Sequence, residues 1–522
     1  MSTNYLKGYK PGLSVNNSGG PAYKITPMQR AARFLVTGSD GTYYEPGAKL
    51  TADNAESIIE LAKSDKAQEL IDLIVSVSEE GRAAKQSYGL FALALVQANA
   101  SGEAKTNAYR AVDKVCRTLS TLTEWMSYHE NIRGTRGPAY LKAIRRWFDA
   151  RTADDVAYQA VKYRKRNGWT IGDVARIAHP ITDTAKGSVI DWSVRGEIDP
   201  DITPAQILAF QKVQKADPKD IPSIIEESDG MLTWEMVPTE YLNDPLVLAA
   251  LAEMMPMGAL LRNITRFYKA GLLAPGNRVL EILAVRFSDA RQIKASRLHP
   301  INILVAVNKY IELADTDRMG RWNYWDLKPY TDEVTEILYK AFYLAFGNVE
   351  PMGKRTFIAL DVSGSMMAPI SRDMPVTCRE AALAMSLITA NTEEEVTTVV
   401  FQRKVDKIDL PMSIHNAVNQ IKKMPFGTTD IAAAINYALN NKIAVDTFII
   451  YTDNETNYSR ENPADALRRY REVMGIPARL VVMAFTATSF SVADPDDAGM
   501  LDIAGMDAAS PKVIASFAKG EI

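Results

Sequence analysis

Cysteine, histidine and long apolar runs are all scarce in this sequence, and each scarcity removes a class of protein. Two cysteines, Cys116 and Cys378, cannot staple a chain of 522 residues, so a disulfide scaffold is excluded and a reducing compartment fits. No uninterrupted apolar stretch approaches the roughly 20 residues that a bilayer-crossing helix needs. The opening MSTNYLKGYKPG has no apolar core of the kind a signal peptide carries. The expectation is a soluble protein of the cytoplasm that meets no membrane. The four histidines include His129 and His415, which have no metal-like spacing, and His299, whose RLHP setting reads as packing. There is no phosphate-binding P-loop, no Gly-x-Gly-x-x-Gly and no nucleophile elbow. A dominant charge is missing too: 60 Lys+Arg against 63 Asp+Glu leave a net charge of -3.

That near balance hides segregation along the chain. Residues 101–195 carry 17 basic side chains against 10 acidic ones, whereas residues 196–352 carry 16 against 22. Locally positive surface on a neutral protein is the footprint expected of a polyanion site. The densest point is KYRKR, residues 162–166, with four positive charges in five residues. Asp154-Asp155 before it and the basic run after it complement the dipole of a helix that Asn167-Gly168 would cap. A dipole accounts for one or two cations, not four, although a merely solvated face is the competing reading. On a helix continuing to Arg166, Lys162 and Arg166 share one face. Thr170 and Asp173 resemble a capping box opening a short helix that ends at His179-Pro180. The turn between the helices then brings Arg176 and His179 beside Lys162 and Arg166, and Arg164 joins them as an RNA-binding candidate. Tyr163 and Trp169 could stack on bases, but helical spacing favours the core. Arg133, Arg136, Lys142, Arg145 and Arg146 extend the basic surface upstream.

Two regions differ in periodicity. From residue 26 to about 346, segments such as KAQELIDLIVSV, PAQILAFQKVQK and NILVAVNKYIEL repeat apolar residues at spacings of three and four. More than a dozen short helices in series predict an α-solenoid of stacked pairs, HEAT-like, with a compact irregular helical domain as the rival. After about residue 350, RTFIALD, TTVVF, TFIIYTD and ARLVVMAF alternate with helical segments. Buried strands alternating with helices predict a doubly wound α/β domain whose ligand site lies beyond the strands' carboxyl ends. The predicted domains are 20–350 and 354–522.

DVSGSM begins at such a strand end. Asp361, Ser363 and Ser365 alternate and point to one side of an extended loop, offering oxygen ligands to a hard divalent cation. Mg²⁺ is the first choice, with Mn²⁺ or Ca²⁺ as alternatives. Thr429 in FGTTD and Asp453 in IIYTDNET arise at equivalent strand ends. This layout resembles a von Willebrand factor A domain with a metal-ion-dependent adhesion site; the alternative is that DxSxS simply caps a helix. Cys378 falls on the next helix with no basic partner and reads as an inert buried thiol.

The segments ARFLVTGSDGTYY (32–44), EEGRAAKQ (79–86), KYRKRNGW, MPMGALLRNI (255–264), RLHPINIL (297–304) and SFSVADPDDAGMLDI (489–503) resemble the Ro autoantigen family, in its bacterial or phage-type form. That family joins a TROVE domain to a von Willebrand A domain, and the resemblance runs from about residue 20 to the end. It implies a closed ring of HEAT-like helices with a positive central hole. Single-stranded 3′ ends of misfolded noncoding RNA thread the hole, and small structured Y RNAs bind the outer surface. A bacterial member works with the exoribonuclease polynucleotide phosphorylase, tethered through the Y RNA, as a monomeric protein in a ribonucleoprotein. The family's RNA-binding positions fall on Lys162, Arg166 and His179. The segment NIRGTRGPAYLKAIRRW departs from the family pattern, and no RNA contact is carried onto it.

Three functions compete. The leading one is a non-catalytic RNA-binding protein of noncoding-RNA quality control, with no DNA partner. The second is a protein scaffold whose metal cup grips an acidic partner. The third, a ribonuclease using Asp361 and Asp453, suffers from the lack of an evident general base beside a hydroxyl-rich single-metal cup.

Overall fold

The computed structural model describes residues 13–15, 21–24, 26–37, 47–80, 83, 85–319, 332–371, 374–411, 413–422, 429–453, 461–485, 490–494, 497–504 and 510–520. Parts of the family-like stretches (38–44, 81, 82, 84, 489, 495 and 496), the FGT of FGTTD and the side chain of His415 lie outside the described residues.

Among the described residues, nineteen α-helices run from Pro27 to Leu344, as the three-and-four spacing predicts. Each packs on near neighbours in sequence. Helix Pro138–Asp149 lies on Gly102–Arg110 and Ile171–Ala178, and helix Ala153–Tyr163 lies on Leu119–Arg133, Thr184–Arg195 and Ala205–Gln214. This local, serial packing is the signature of a solenoid. Large aromatic side chains fill the layer between helices. Trp125 stacks on Tyr140 at 5.2 Å and donates its indole N–H to Gln97, while Trp147 donates to the Cys116 carbonyl at 2.7 Å. Burying such rings contributes heavily, and each polar tip keeps a partner.

The C-terminal region is built on a six-stranded sheet. The strands are β1 (Leu13–Val15), β2 (Pro21–Lys24), β3 (Thr356–Asp361), β4 (Pro369–Ser371), β5 (Met374–Thr377), β6 (Val396–Phe401), β7 (Val405–Lys407), β8 (Thr447–Thr452), β9 (Arg479–Ala484), β10 (Phe490–Ser491) and β11 (Met500–Ala504). The order is β11-β9-β8-β3-β6-β7; all neighbours are parallel except the edge hairpin β6–β7. Alternate residues of each strand feed two apolar layers. Phe357, Ala359, Phe448 and Ile450 face helices Ile431–Asn440 and Pro463–Met474. Ile358, Leu360, Ile449 and Tyr451 face helix Cys378–Thr392, and that layer is continuous with the core of the helical array. The sheet order reverses at β3, whose partners are β6 on one side and β8 on the other. That crevice is where a doubly wound sheet places its ligand.

Two features escaped the sequence pattern. β2 pairs with both β1 and β10, so a strand from the very start of the chain completes a small antiparallel sheet on the C-terminal domain. Helix Pro27–Thr37, the first of the array, also contacts β11, while helix Pro300–Met319 contacts β5 and helix Cys378–Thr392. The C-terminal domain thus meets both ends of the helical array and links them.

Candidate RNA interface and cation cup

Helix Ala153–Tyr163 starts in a capping box. The Thr152 hydroxyl accepts from Asp155 N, and the Asp155 carboxylate accepts from Thr152 N; such a cap contributes about 1 kcal/mol. The helix stops three residues earlier than the charge run suggests. Arg164 turns to φ 24°, and Arg166 and Trp169 exchange two backbone hydrogen bonds of 2.9 and 2.8 Å. Between them Asn167 (φ 52°) and Gly168 (φ 84°) take the two positive φ angles of a tight Asn-Gly hairpin. Asn167-Gly168 is therefore a hairpin turn and not the helix cap, and Arg166 is not on the helix, so the expected shared helical face with Lys162 does not exist. The predicted Thr170–Asp173 capping box is present, opening helix Ile171–Ala178, and His179 ends it with φ 47°.

The cations differ in what they already hold. Lys162 is half-buried; its ammonium donates to the Tyr158 hydroxyl at 2.7 Å and lies 3.7 Å from the Glu235 carboxylate. Burial opposes its charge, but Tyr158 and Glu235 outweigh burial and hold its pKa above the ordinary lysine value. Arg164 reaches the Glu235 carbonyl at 3.2 Å and sits 5.3 Å from the centre of the Phe210 ring. Arg176 pairs with Asp173 at 2.9 Å and donates to the Val194 carbonyl. By contrast, Lys165, Arg166 and His179 are exposed, and among the described residues their side chains engage no carboxylate. The eight-residue helix Ile171–Ala178, about 12 Å long, follows the Arg166 hairpin and ends at His179. Tyr163 and Trp169 are half-buried against the core, each near a protein cation; the Arg136 guanidinium lies 5.2 Å from the Trp169 ring centre. Upstream, Arg133 and Arg145 donate to the Gln97 and Ala178 carbonyls, and Arg136 is paired with Glu130.

The second site lies where β3 and β8 end. Asp361 is buried, accepting from Ser363 N and from the Thr452 hydroxyl, each at 2.8 Å. The hydroxyls of Ser363 and Ser365 lie 3.2 Å apart. Asp453 is buried where β8 ends, and Thr429 is buried just before Asp430, which caps helix Ile431–Asn440 and donates its N–H at 3.0 Å to the Gln402 carbonyl just past β6. Burial, and then the charge of Asp453, push the Asp361 carboxyl up to about 7. Interacting carboxylates withdrawn from water, with hydroxyls beside them, form a donor set that fits a hard divalent cation. Sequence reasoning missed two contributors. Thr452 ties β8 to Asp361, and buried Arg379 donates to the Val362 and Ser363 carbonyls at 2.5 and 3.3 Å, bracing the loop from behind. An arginine at the second position of a helix gives no pattern by which to find it. Burial, then Asp453, raise the Cys378 thiol to about 12, so it is inert.

Residues 14–195 and 230–321 match the TROVE domain family, and residues 355–518 match the Ro60 vWA domain. The chain belongs to the Ro60 family of RNA-binding proteins. It is 33% identical over 515 residues to RNA-binding protein RO60 of Deinococcus radiodurans, covering 97% of this chain and 95% of that one. It is 30% identical to RNA-binding protein RO60 of Caenorhabditis elegans over 99% of this chain and 92% of that one. The crystal structure of the Deinococcus radiodurans Ro (Rsr) protein superposes with a TM-score of 0.74 at 32% identity, covering 95% of this chain and all of the other. This Ro60-family likeness covers both the helical array and the α/β domain.

Proposed function

We propose that the chain binds noncoding RNA without cutting it and serves noncoding-RNA quality control in the cytoplasm. Y-like small RNA occupies the outer surface of the helical array, and single-stranded 3′ ends of misfolded RNA enter its centre. An exoribonuclease of the polynucleotide phosphorylase type joins through the Y-like RNA, and the protein itself is a monomer. The observation that carries the reading is the exposed set Lys165, Arg166 and His179, without carboxylate partners, on a scaffold alike over its length to proteins named for RNA binding. Arg164, Arg176 and Lys162 supply further cations, Lys162 exchanging Glu235 for a phosphate. Two buried free cysteines suit a reducing compartment, and among the described residues no helix is long and apolar enough to cross a membrane.

Asp361, Ser363, Ser365, Thr429 and Asp453 would hold the divalent cation, which when bound supplies a positive centre for an oxygen ligand. Arg379 and Thr452 hold the loop and the Asp361 carboxylate in place. Among the described residues neither His299 nor His129 stands at this edge to act as a base, which favours recognition over hydrolysis.

The deciding experiment is RNA binding by the full chain, comparing a blunt duplex, a 3′-tailed duplex and a structured small RNA. The tailed and structured forms should bind with affinity that falls steeply as salt rises. Replacing Lys162→Ala with Arg166→Ala should weaken binding by roughly 1–3 kcal/mol and flatten the salt slope by about one to two. Unchanged affinity and slope would remove the site assignment.

A further inference from the structure

A second basic feature lies away from the KYRKR stretch. A cavity of about 220 Å³ opens between helix Gly102–Arg110 and helix Pro138–Asp149. Lys105 and Arg110 line it from the first helix, Lys142 and Arg146 from the second, and no aspartate or glutamate is part of its wall. The pattern is helical: Lys142 and Arg146 are four apart and share a face, and Gly102, Lys105, Tyr109 and Arg110 form the facing stripe. Gly102 and Ala139 also bring the first turn of each helix to the cavity, where free N–H groups and the positive ends of the helix dipoles favour an anion.

These cations are poorly compensated. Among the described residues no hydrogen bond or ion pair engages the side chain of Lys105 or Lys142. Arg146 spends Nη2 on the Tyr109 carbonyl at 2.7 Å, and its buried Nε has no partner. Arg110 makes one 3.3 Å bond to the neutral Asn107 side chain. Burial, and then the nearby Arg133 charge, lower the pKa of Lys105, as expected where like charges crowd without a counterion. Glu103, on the same first turn, does not line the cavity.

We propose that this cavity is a phosphate-binding site that seats one or two neighbouring phosphates of bound RNA. At about 220 Å³ it is smaller than the roughly 300 Å³ at which drug-sized ligand pockets begin, so it takes phosphate and leaves base and sugar outside. The contact is sequence-independent and anchors the nucleic acid without reading it. The choice of RNA as the source of the phosphate rests on the function proposed above; the anion chemistry does not.

The test uses the full chain, its Lys105→Gln/Lys142→Gln double variant and a charge-preserving Lys105→Arg/Lys142→Arg control. Binding of a fluorescein-labelled 3′-tailed RNA duplex is measured across potassium chloride concentrations, and inorganic pyrophosphate is titrated in a thermal shift assay. The glutamine variant should keep its melting temperature without ligand, bind RNA several-fold more weakly, and flatten the plot of log Kd against log salt by about one to two. It should also lose the pyrophosphate-induced rise in melting temperature, and the arginine control should retain both responses. If the pyrophosphate response disappears while the RNA slope stays, the site stands with a small phosphate compound as its ligand and the RNA source is overturned. If wild-type protein binds no RNA yet answers pyrophosphate through these lysines, the RNA function fails and the phosphate site stands. If neither response differs between wild type and glutamine variant, there is no phosphate site.

Discussion

Asp453 and Asp361 show how far single residues could be read and where reading stopped. Alternation in DVSGSM, the helix-opening Thr429 of FGTTD and the placement of Asp453 after the apolar run TFIIYT pointed to one sheet edge, because strand ends and side-chain alternation are periodic facts. Arg379 and Thr452 were not legible, since a brace is defined by what it touches across the fold: Thr452 reaches Asp361 from 91 residues away in sequence. The cup makes a direct prediction. Mg²⁺ at a hundredfold excess over its Kd should stabilise the wild-type chain by about 2.7 kcal/mol, seen as a raised melting temperature, while Asp453→Asn should show no such rise. Calorimetry in which Mg²⁺, Mn²⁺ and Ca²⁺ all fail to bind would take the cation out of the functional account.

At the scale of elements, helix existence was legible and helix ends were less so. Thr170 to Asp173 announced its helix correctly because a capping box is a local hydrogen-bond device. Asn167-Gly168 misled for an equally local reason: a glycine that tolerates positive φ suits a helix cap and an Asn-Gly hairpin alike, and only the bond between Arg166 and Trp169 decides. The hairpin carries Arg166 off the helix and sets where its guanidinium starts. Gly168→Ala tests that role. Nothing lies within 4 Å of the added Cβ, so the cost is the strained φ alone, about 1 kcal/mol, or about 2 °C or less in melting temperature. RNA affinity should fall by more than this small loss of stability explains, which fluorescence anisotropy at fixed salt would show; affinity equal to wild type would mean that the turn does not position Arg166.

For the whole molecule, serial helices followed by alternating strands and helices predicted the two architectures. The join between them was not predictable, because β1, β2 and β10 are too short to show a period. The helical array also stores two buried histidines. His299 accepts from Ile301 N, and burial lowers its pKa to about 4. His129, hydrogen-bonded to the Tyr109 hydroxyl at 2.8 Å, is lowered to about 4 by burial and then by Arg133. The unfolded chain takes up these protons near pH 6.5 and the folded chain only near 4, so each histidine withdraws stability as pH falls through that window. For His299 the loss is on the order of 3 kcal/mol. Asp361, raised to about 7, acts in the opposite sense over the same range, so the wild-type profile alone is not diagnostic. Denaturant unfolding between pH 6.5 and 4 should show a shallower acid loss for His299→Gln than for wild type, and equal slopes would contradict the buried neutral imidazole.

Tyr23 and Lys24 are aligned with Ser491 and Phe490. Translation makes the first of these strands long before the second, so the seam cannot form until every residue between them has been synthesised. A nascent chain that stops short of Phe490 therefore lacks this latch.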